Sequence, residues 1–405
     1  MNRIVLIMTS ALKSIMRKNV KCLAVFLLVA GFFSCDRGMD ENNTLETGAM
    51  SMTTESISVK IYMAGSGTVA IDWGDGSEVK THTLLKYDND FNSGWGDGVI
   101  IIGPRNKYEF GYDYSSTSSR TITITGKNIT HLKCSGNQLT SLDMDNGDAL
   151  VWLECSVNQL TNLDMSKNTA LKQLDCSENQ LTSLDVSKNT ALTNLICAFN
   201  QLTSLNLSKI MLTYLNCAIN QLTSLEVSKN TALTELYCMD NQLTNLDVSN
   251  NTVLIHLNCG ENQLTNLNVS KNTALTNLDC YRNHLTTMDV SNNTALIHLN
   301  CGGNQLTSLN VSKNTELTIL GCWTNQLTRL DVSKNTALRG LDCSINQLDT
   351  DELNVLFNSL PTVPSTNSGW IFINDNPGVA DSGLNTGIAT YKRWMVYVGW
   401  WIDIL

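Results

Sequence analysis

The chain has 405 residues and a formal net charge of −10, and much of its length is one short unit copied many times. An acidic chain without a basic patch lacks the electrostatic footprint of a nucleic-acid binder, so DNA and RNA are excluded as expected partners. Apolar residues recur at fixed intervals and can bury enough surface to form a folded core, so disorder is not expected outside the N-terminal segment.

Residues 1–34 are predicted to be a signal peptide. Arg17, Lys18 and Lys21 precede an apolar run over residues 22–33. A run of about 12 residues suits the core of a signal peptide and is too short for a membrane span of about 20. Met16 offers a second translation start inside this segment.

Cys35 is predicted to carry a lipid. Residues 32–35 (FFSC) resemble the lipobox of bacterial lipoproteins, because a small residue directly precedes the cysteine. Phe32 stands where a lipobox has leucine, so ordinary secretion stays the alternative. The acidic residues 36–41 loosely resemble export signals of Gram-negative surface lipoproteins, and residues 35–52 are predicted to be a flexible tether. The expected location is the bacterial cell surface or outer membrane, and the protein is expected to contact the membrane through its lipid anchor alone.

Residues 53–128 are predicted to form a β-rich N-terminal cap. An open solenoid exposes its core and a strand edge at each end, so a cap is required. Three segments alternate apolar and polar side chains as strands do, namely residues 56–64, 68–72 and 120–125.

A tight turn in this cap carries a motif. Residues 73–77 (WGDGS) resemble the motif of PKD-type domains, and this resemblance implies a β-sandwich-like cap. Asp72, Asp75 and Glu78 are interpreted as turn residues of a solvated loop, with calcium binding as the alternative.

Eleven cysteines then recur every 21 residues, with one step of 20. They are Cys134, Cys155, Cys176, Cys197, Cys217, Cys238, Cys259, Cys280, Cys301, Cys322 and Cys343. A leucine precedes each by two residues and an asparagine follows each by three. This period and register predict leucine-rich repeats, each with one strand and one return segment. Residues 129–348 are therefore predicted to form a mainly β solenoid of eleven stacked repeats, which we call rungs.

The repeat pattern L-x-x-L-x-C-x-x-N-x-L resembles the bacterial leucine-rich repeat with cysteine in place of its third leucine. It is similar to the 21-residue cysteine-ladder repeats of some internalins, a family of bacterial surface proteins of adhesion and invasion. The resemblance implies a surface binding protein.

The ladder cysteines are predicted to be free, buried thiols. Eleven is odd, and in-register strands hold neighbouring Cβ atoms about 4.8 Å apart, beyond the roughly 3.5 to 4.5 Å of a disulfide. Four metal ligands must converge, whereas these side chains recede along an axis, so no metal and no cofactor is expected. The asparagine column is interpreted as structural, because its amides can satisfy inward-facing peptide groups.

Residues 349–405 are predicted to form a small α/β C-terminal cap. Asp349 and Glu352 mark a helix start, and apolar residues follow at helical spacing. Later elements are expected as strands at 370–373 and 395–402 and a helix at 387–393. The tryptophans Trp394, Trp400 and Trp401 are interpreted as core cover, with a glycan platform as the alternative.

Enzymatic activity is not expected, because the sequence contains no phosphate-binding loop, nucleophile elbow or zinc-protease helix motif. Comparison of the rungs is more informative. The return side hardly varies, whereas four positions vary, at three and one residues before each cysteine and one and two after it. These positions point away from the core, and we call them the strand-side face.

Large aromatic residues without a core role indicate a binding surface. The predicted ligand-binding residues are Trp152, Phe199, Tyr214, Tyr237, Met239, His256, Tyr281, His298 and Trp323. The expected ligand of this non-enzymatic adhesion protein is an extracellular protein, with a glycan as a variant, and the protein is assumed to be a monomer. The alternative function is a stiff surface spacer without a dedicated ligand.

Overall fold

The computed structural model describes residues 49–87, 108–145, 147–364 and 368–399. These residues belong to the second of two compact units, Gly48–Leu405. The predicted signal peptide and Cys35 lie outside the described residues. None of the helices within the described ranges is long and apolar enough to cross a membrane.

The described residues form twenty strands, two α-helices and one 3-10 helix. The strands are β1 Ala49–Thr54, β2 Ser58–Gly65, β3 Thr68–Asp72, β4 Lys80–Thr83, β5 Glu109–Asp113, β6 Arg120–Gly126, β7 Ile129–Lys133, β8 Leu139–Asp143, β9 Trp152–Glu154, β10 Gln173–Asp175, β11 Asn194–Ile196, β12 Tyr214–Asn216, β13 Glu235–Tyr237, β14 His256–Asn258, β15 Asn277–Asp279, β16 His298–Asn300, β17 Ile319–Gly321, β18 Gly340–Asp342, β19 Gly369–Phe372 and β20 Trp394–Tyr397. The helices are α1 Thr350–Ser359, α2 Gly387–Tyr391 and the 3-10 helix Pro377–Ala380.

One long sheet runs through the molecule. Strands β7 and β9 to β20 pair in parallel, and β2 and β5 extend the same sheet antiparallel beyond β7. The central leucines stay in register, so that Leu174 lies between Leu153 and Leu195. The repeat period therefore correctly predicts a leucine-rich-repeat solenoid.

The solenoid is longer than the eleven rungs predicted. Strands β19 and β20 of the C-terminal segment add two further parallel turns, which gives thirteen parallel strands in the described residues. Both strands lack the repeat's cysteine, so the sequence period does not reveal them. Helix α1 begins where predicted, because the Asp349 side chain accepts a hydrogen bond from the Glu352 N–H at 2.9 Å.

The N-terminal strands cover the first rung from two sides. Strands β2 and β5 belong to the long sheet, while a second, antiparallel sheet has the order β4-β3-β6-β1-β8. Strand β8 is the return segment of the first rung, so this second sheet continues the return side. Buried residues of both sheets join one hydrophobic cluster with the solenoid core.

The predicted tether ends earlier than expected. Residues 49–52 of its proposed range already belong to β1, which lies between β6 and β8. Met50 and Met52 alternate with less buried residues along this strand and are themselves buried. At the other end, Trp394 is buried, as interpreted, and its indole N–H donates to the Pro361 carbonyl oxygen at 2.8 Å. Trp400 and Trp401 lie outside the described residues.

The eleven ladder cysteines are fully buried, free thiols. Burial raises the pKa of the Cys134, Cys217, Cys259 and Cys301 thiols to about 12. A thiol that keeps its proton at neutral pH is a poor nucleophile and a poor metal ligand. The column therefore acts as small apolar packing between the leucine columns.

The asparagine after each cysteine links two rungs. Asn262 donates from its amide to the Cys259 carbonyl in its own rung at 3.2 Å and to the Cys238 carbonyl of the preceding rung at 3.0 Å. Its Oδ1 accepts from the Leu243 N–H at 3.0 Å. The column continues past the repeats, where Asn376 makes the same kind of bonds.

A second buried asparagine column, which the sequence analysis missed, runs along the return side. Asn272 donates from its amide to the carbonyl oxygens of Val248 and Asn251, each at 2.9 Å. Its Oδ1 is buried without a hydrogen-bond partner among the described residues, as is the Oδ1 of every member of this column. Ile210 interrupts the column on the return segment of rung four, after Cys197, where one residue is missing. These bonds explain why the return side varies so little.

Candidate ligand-binding face

Each rung presents its strand side in the same way. In strand β13 the central leucine is buried and its two neighbours are half-buried with their side chains outward. The residue two after the cysteine has a φ between 47° and 54° in nine rungs and is glycine at Gly136 and Gly303. This left-handed conformation is costly for most residues, and the asparagine bonds beside it hold it in place.

The structure places eight of the nine predicted ligand-binding residues half-buried on the strand-side face and one exposed. Trp152, Tyr214, His256 and His298 begin strands β9, β12, β14 and β16, and Tyr237 ends β13. Met239, Tyr281 and Trp323 directly follow ladder cysteines. Phe199 takes the left-handed position and is 51% exposed.

Two groups of these residues touch in the middle of the solenoid. The rings of Tyr214 and Tyr237 lie 5.7 Å apart between centroids, and the Tyr237 hydroxyl lies 3.5 Å from His256 Nδ1. The Tyr281 hydroxyl reaches the Met239 sulfur at 3.9 Å, two rungs away. Because Tyr237 and Met239 flank the same cysteine, the two groups form one continuous strip. We call this strip, extended by Trp323 two rungs beyond Tyr281, the aromatic strip.

Glycines of the preceding rungs make room for two rings of the strip, Tyr281 and Trp323. A Cβ on Gly260 would lie 2.5 Å from the Tyr281 ring, and a Cβ on Gly302 would lie 2.2 Å from the Trp323 ring. Each ring therefore covers the backbone of the preceding rung. The alternation of large residues and glycine after successive cysteines was visible in the sequence and could have indicated this packing.

Trp323 also contacts a positively charged side chain of the same protein, that of Arg282. The guanidinium carbon of Arg282 lies 5.9 Å from the Trp323 ring centroid, and Arg282 Nη1 lies 3.1 Å from Glu261 Oε1. This distance falls within the range of a cation–π contact. Rings that are already packed in place lose little conformational freedom when a ligand binds.

The other predicted residues lie outside the strip. Trp152 is near the N-terminal end, 6.1 Å from the His131 ring, and lines an apolar pocket there. The remaining lining residues of that pocket are Tyr62, Met63, Ala64, Tyr87 and Tyr108. His298 Nε2 lies 3.1 Å from Asp279 Oδ1. The predicted residues therefore share the strand side of the solenoid, but the structure divides them between its centre and its N-terminal end.

Carboxylates border the strip. Glu235 accepts a hydrogen bond from the Tyr237 hydroxyl at 2.9 Å, and Asp240 and Glu261 occupy the left-handed positions of their rungs. Burial, with the charge of Glu235, raises the pKa of Tyr214 to about 12. The pKa of Tyr281 is raised by burial and then by Glu261. These phenols stay protonated at neutral pH and can donate hydrogen bonds.

The acidic turn of the N-terminal cap is satisfied by its own chain. Asp72 Oδ1 accepts from the Gly74 N–H at 2.9 Å, and Asp75 accepts from the Ser77 N–H at 3.0 Å and the Tyr112 hydroxyl at 2.7 Å. Among the described residues, no group of three or more histidine, cysteine or acidic side chains is placed to hold a metal ion. The PKD resemblance of this cap stays a prediction.

Comparison with known proteins supports the fold. No protein-family profile and no curated protein matches the chain. Among solved structures, the functional domain of InlJ from Listeria monocytogenes, which includes a cysteine ladder, is 36% identical with a TM-score of 0.58. The match covers 68% of this chain and 60% of the InlJ chain, so this chain spans less than two thirds of that relative.

Two more distant structures show the same fold. An internalin of L. monocytogenes, InlF, is 22% identical over 61% of this chain and 81% of its own, with a TM-score of 0.51. A leucine-rich-repeat protein of Leptospira interrogans is 22% identical over 65% of this chain and 83% of its own, also with a TM-score of 0.51. The structural neighbours are thus internalin-type leucine-rich-repeat proteins.

Proposed function

We propose that this protein is a non-enzymatic binding protein of the bacterial surface, and that the strand-side face of its solenoid binds a protein ligand in adhesion. Tyr281 and Trp323 carry this proposal, because their rings are packed on glycines and are only half-buried at the surface. Aromatic side chains held in this way bury a large area on binding at little entropic cost.

The similarity to the InlJ functional domain supports the surface role. We further propose that lipidation of Cys35 anchors the protein, with residues 36–48 as the tether. Secretion without a lipid is the alternative. Phe199, Tyr214, His256 and His298 are assigned to the periphery of the ligand site, and Trp152 to its N-terminal edge.

The test begins with capture of a ligand from host surface extracts by the full-length protein, followed by affinity measurements on purified components. Tyr281→Ala and Trp323→Ala should each weaken binding about thirtyfold, because truncation of an interface aromatic typically costs about 2 kcal/mol. Lys271→Ala and Lys313→Ala on the return side are the matched controls and should leave binding unchanged.

Far-ultraviolet circular dichroism must stay the same for all four variants, so that a loss of binding does not reflect a loss of the fold. If the lysine variants abolish binding and the aromatic variants do not, the ligand uses the other face. If protein and glycan extracts yield no ligand whose binding is weakened by the aromatic or the lysine variants, the surface spacer is the better description of the function.

A further inference from the structure

The charge of the solenoid differs between its two sides. Over rungs six to ten, from Glu235 to the return segment after Cys322, the strand-side face carries four carboxylates and a single guanidinium. They are Glu235, Asp240, Glu261, Asp279 and Arg282. The return side of the same rungs carries four acidic and four basic side chains and is neutral. The excess negative charge therefore lies around the aromatic strip.

Arg282 indicates how this face holds a cation. Its guanidinium lies between the Trp323 ring at 5.9 Å and the Glu261 carboxylate at 3.1 Å, although its side chain is 62% exposed. A ring on one side and a carboxylate on the other stabilise a positive group from both directions. A ring and carboxylates also lie near each other in the sequence of rungs two rungs earlier: Tyr281 has Asp279 in its own rung, Glu261 in the preceding rung and Asp240 two rungs before.

We propose that the ligand bound by the strand-side face is a basic protein segment, whose lysine or arginine side chains lie on Tyr281 and Trp323 and face the surrounding carboxylates. This inference rests on the proposed function and gives it a ligand chemistry. An anionic ligand, such as a sulfated or sialylated glycan, would meet repulsion from the same carboxylates. Electrostatic complementarity of this kind mainly raises the association rate and makes affinity fall with salt.

The test uses the full-length protein and two fluorescent peptides of about 12 residues, long enough to span four strand steps of about 4.8 Å. One peptide alternates lysine with serine, and the other alternates glutamate with serine. Fluorescence anisotropy measures the dissociation constant at low and at physiological salt. The lysine peptide should bind and the glutamate peptide should not, and the affinity should fall as salt rises.

Charge-neutralising variants locate the site. The double variant Asp240→Asn and Glu261→Gln should weaken the lysine peptide about tenfold. The matched double variant Asp247→Asn and Asp289→Asn removes the same charge from the return side and should change binding less than twofold. Asparagine suits the left-handed backbone at position 240, so the fold is preserved.

Each outcome decides between the two proposals. If both double variants weaken the lysine peptide equally, attraction reflects only the net charge of −10 and this inference is wrong. If no basic peptide binds while a captured ligand still depends on Tyr281 and Trp323, the ligand chemistry is wrong and the proposed function stands. If neither a basic peptide nor any captured ligand depends on the two aromatic residues, both proposals fail.

Discussion

The two buried asparagine columns should differ sharply in their contribution to stability. Asn262 and Asn272 lie in the same rung and both are buried. The Asn262 amide donates to the carbonyl oxygens of Cys238, Cys259 and Gly260, and the Asn272 amide donates to two carbonyl oxygens. Only Asn262 also uses its Oδ1, which accepts the Leu243 N–H. The perturbation is therefore Asn262→Ala compared with Asn272→Ala.

The structure sets the expected cost of Asn262→Ala. The Cys238 and Cys259 carbonyls each keep a second asparagine donor, Asn241 and Asn283 respectively. The Leu243 N–H keeps no other acceptor among the described residues. The loss of two bonded amide N–H groups at about 1 kcal/mol each and an orphaned buried donor, the Leu243 N–H, at about 1 to 3 kcal/mol give a total loss of about 3 to 5 kcal/mol.

Asn272→Ala should cost much less. The Val248 and Asn251 carbonyls keep backbone donors at 3.0 and 3.1 Å. The two lost bonds cost about 2 kcal/mol, and removal of the unsatisfied Oδ1 returns about 1 kcal/mol, so the net loss is about 1 kcal/mol. The cavity left by the side chain is similar in both variants and cancels in the comparison.

Urea unfolding of the full-length protein, followed by far-ultraviolet circular dichroism, measures both values. A repeat array can lose two-state behaviour, so the urea slopes must agree before free energies are compared. Asn262→Ala should be the less stable variant by about 3 kcal/mol. Equal losses, or a larger loss for Asn272→Ala, would refute the reasoning from hydrogen-bond satisfaction.

Three further predictions follow from the core, the strip and the N-terminus. Burial raises the pKa of the ladder thiols from the unfolded value of about 9 to about 12 for Cys259. The contribution of each protonated thiol to folding stability is therefore complete below pH 9. Between pH 9 and pH 12 it is lost at about 1.4 kcal/mol per thiol and pH unit. Circular dichroism should therefore record steep unfolding at alkaline pH, and a signal that stays constant up to pH 11 would contradict this. Iodoacetamide at pH 8 should modify the eleven thiols only after denaturation. Gly302→Ala should displace the Trp323 ring, shift tryptophan fluorescence and weaken ligand binding about tenfold, whereas Gly111→Ala, whose new Cβ meets nothing closer than 3.5 Å, should do neither. A fatty-acid probe should label the wild type and not Cys35→Ala, and equal labelling would exclude the lipid anchor.

How far the sequence predicts this protein depends on how local each feature is. The leucine, cysteine and asparagine columns follow from the repeat itself, because each rung has too few apolar groups to fold alone and identical rungs must stack in register. Helix α1 was equally predictable, since its cap and apolar spacing lie within ten residues. The positions of the strand-side face followed from strand alternation.

Contacts between rungs required the tertiary structure. Strand β19 joins the sheet by pairing with β18, and β20 joins it by pairing with β19, although their sequences lack the repeat. The rings of Tyr281 and Trp323 pack against glycines 21 residues earlier in the chain. Arg282 contacts the Trp323 ring from two rungs away. Periodicity specifies which residues share a column, but side-chain size and charge in adjacent columns decide which of them touch, and only the packed solenoid brings those columns together.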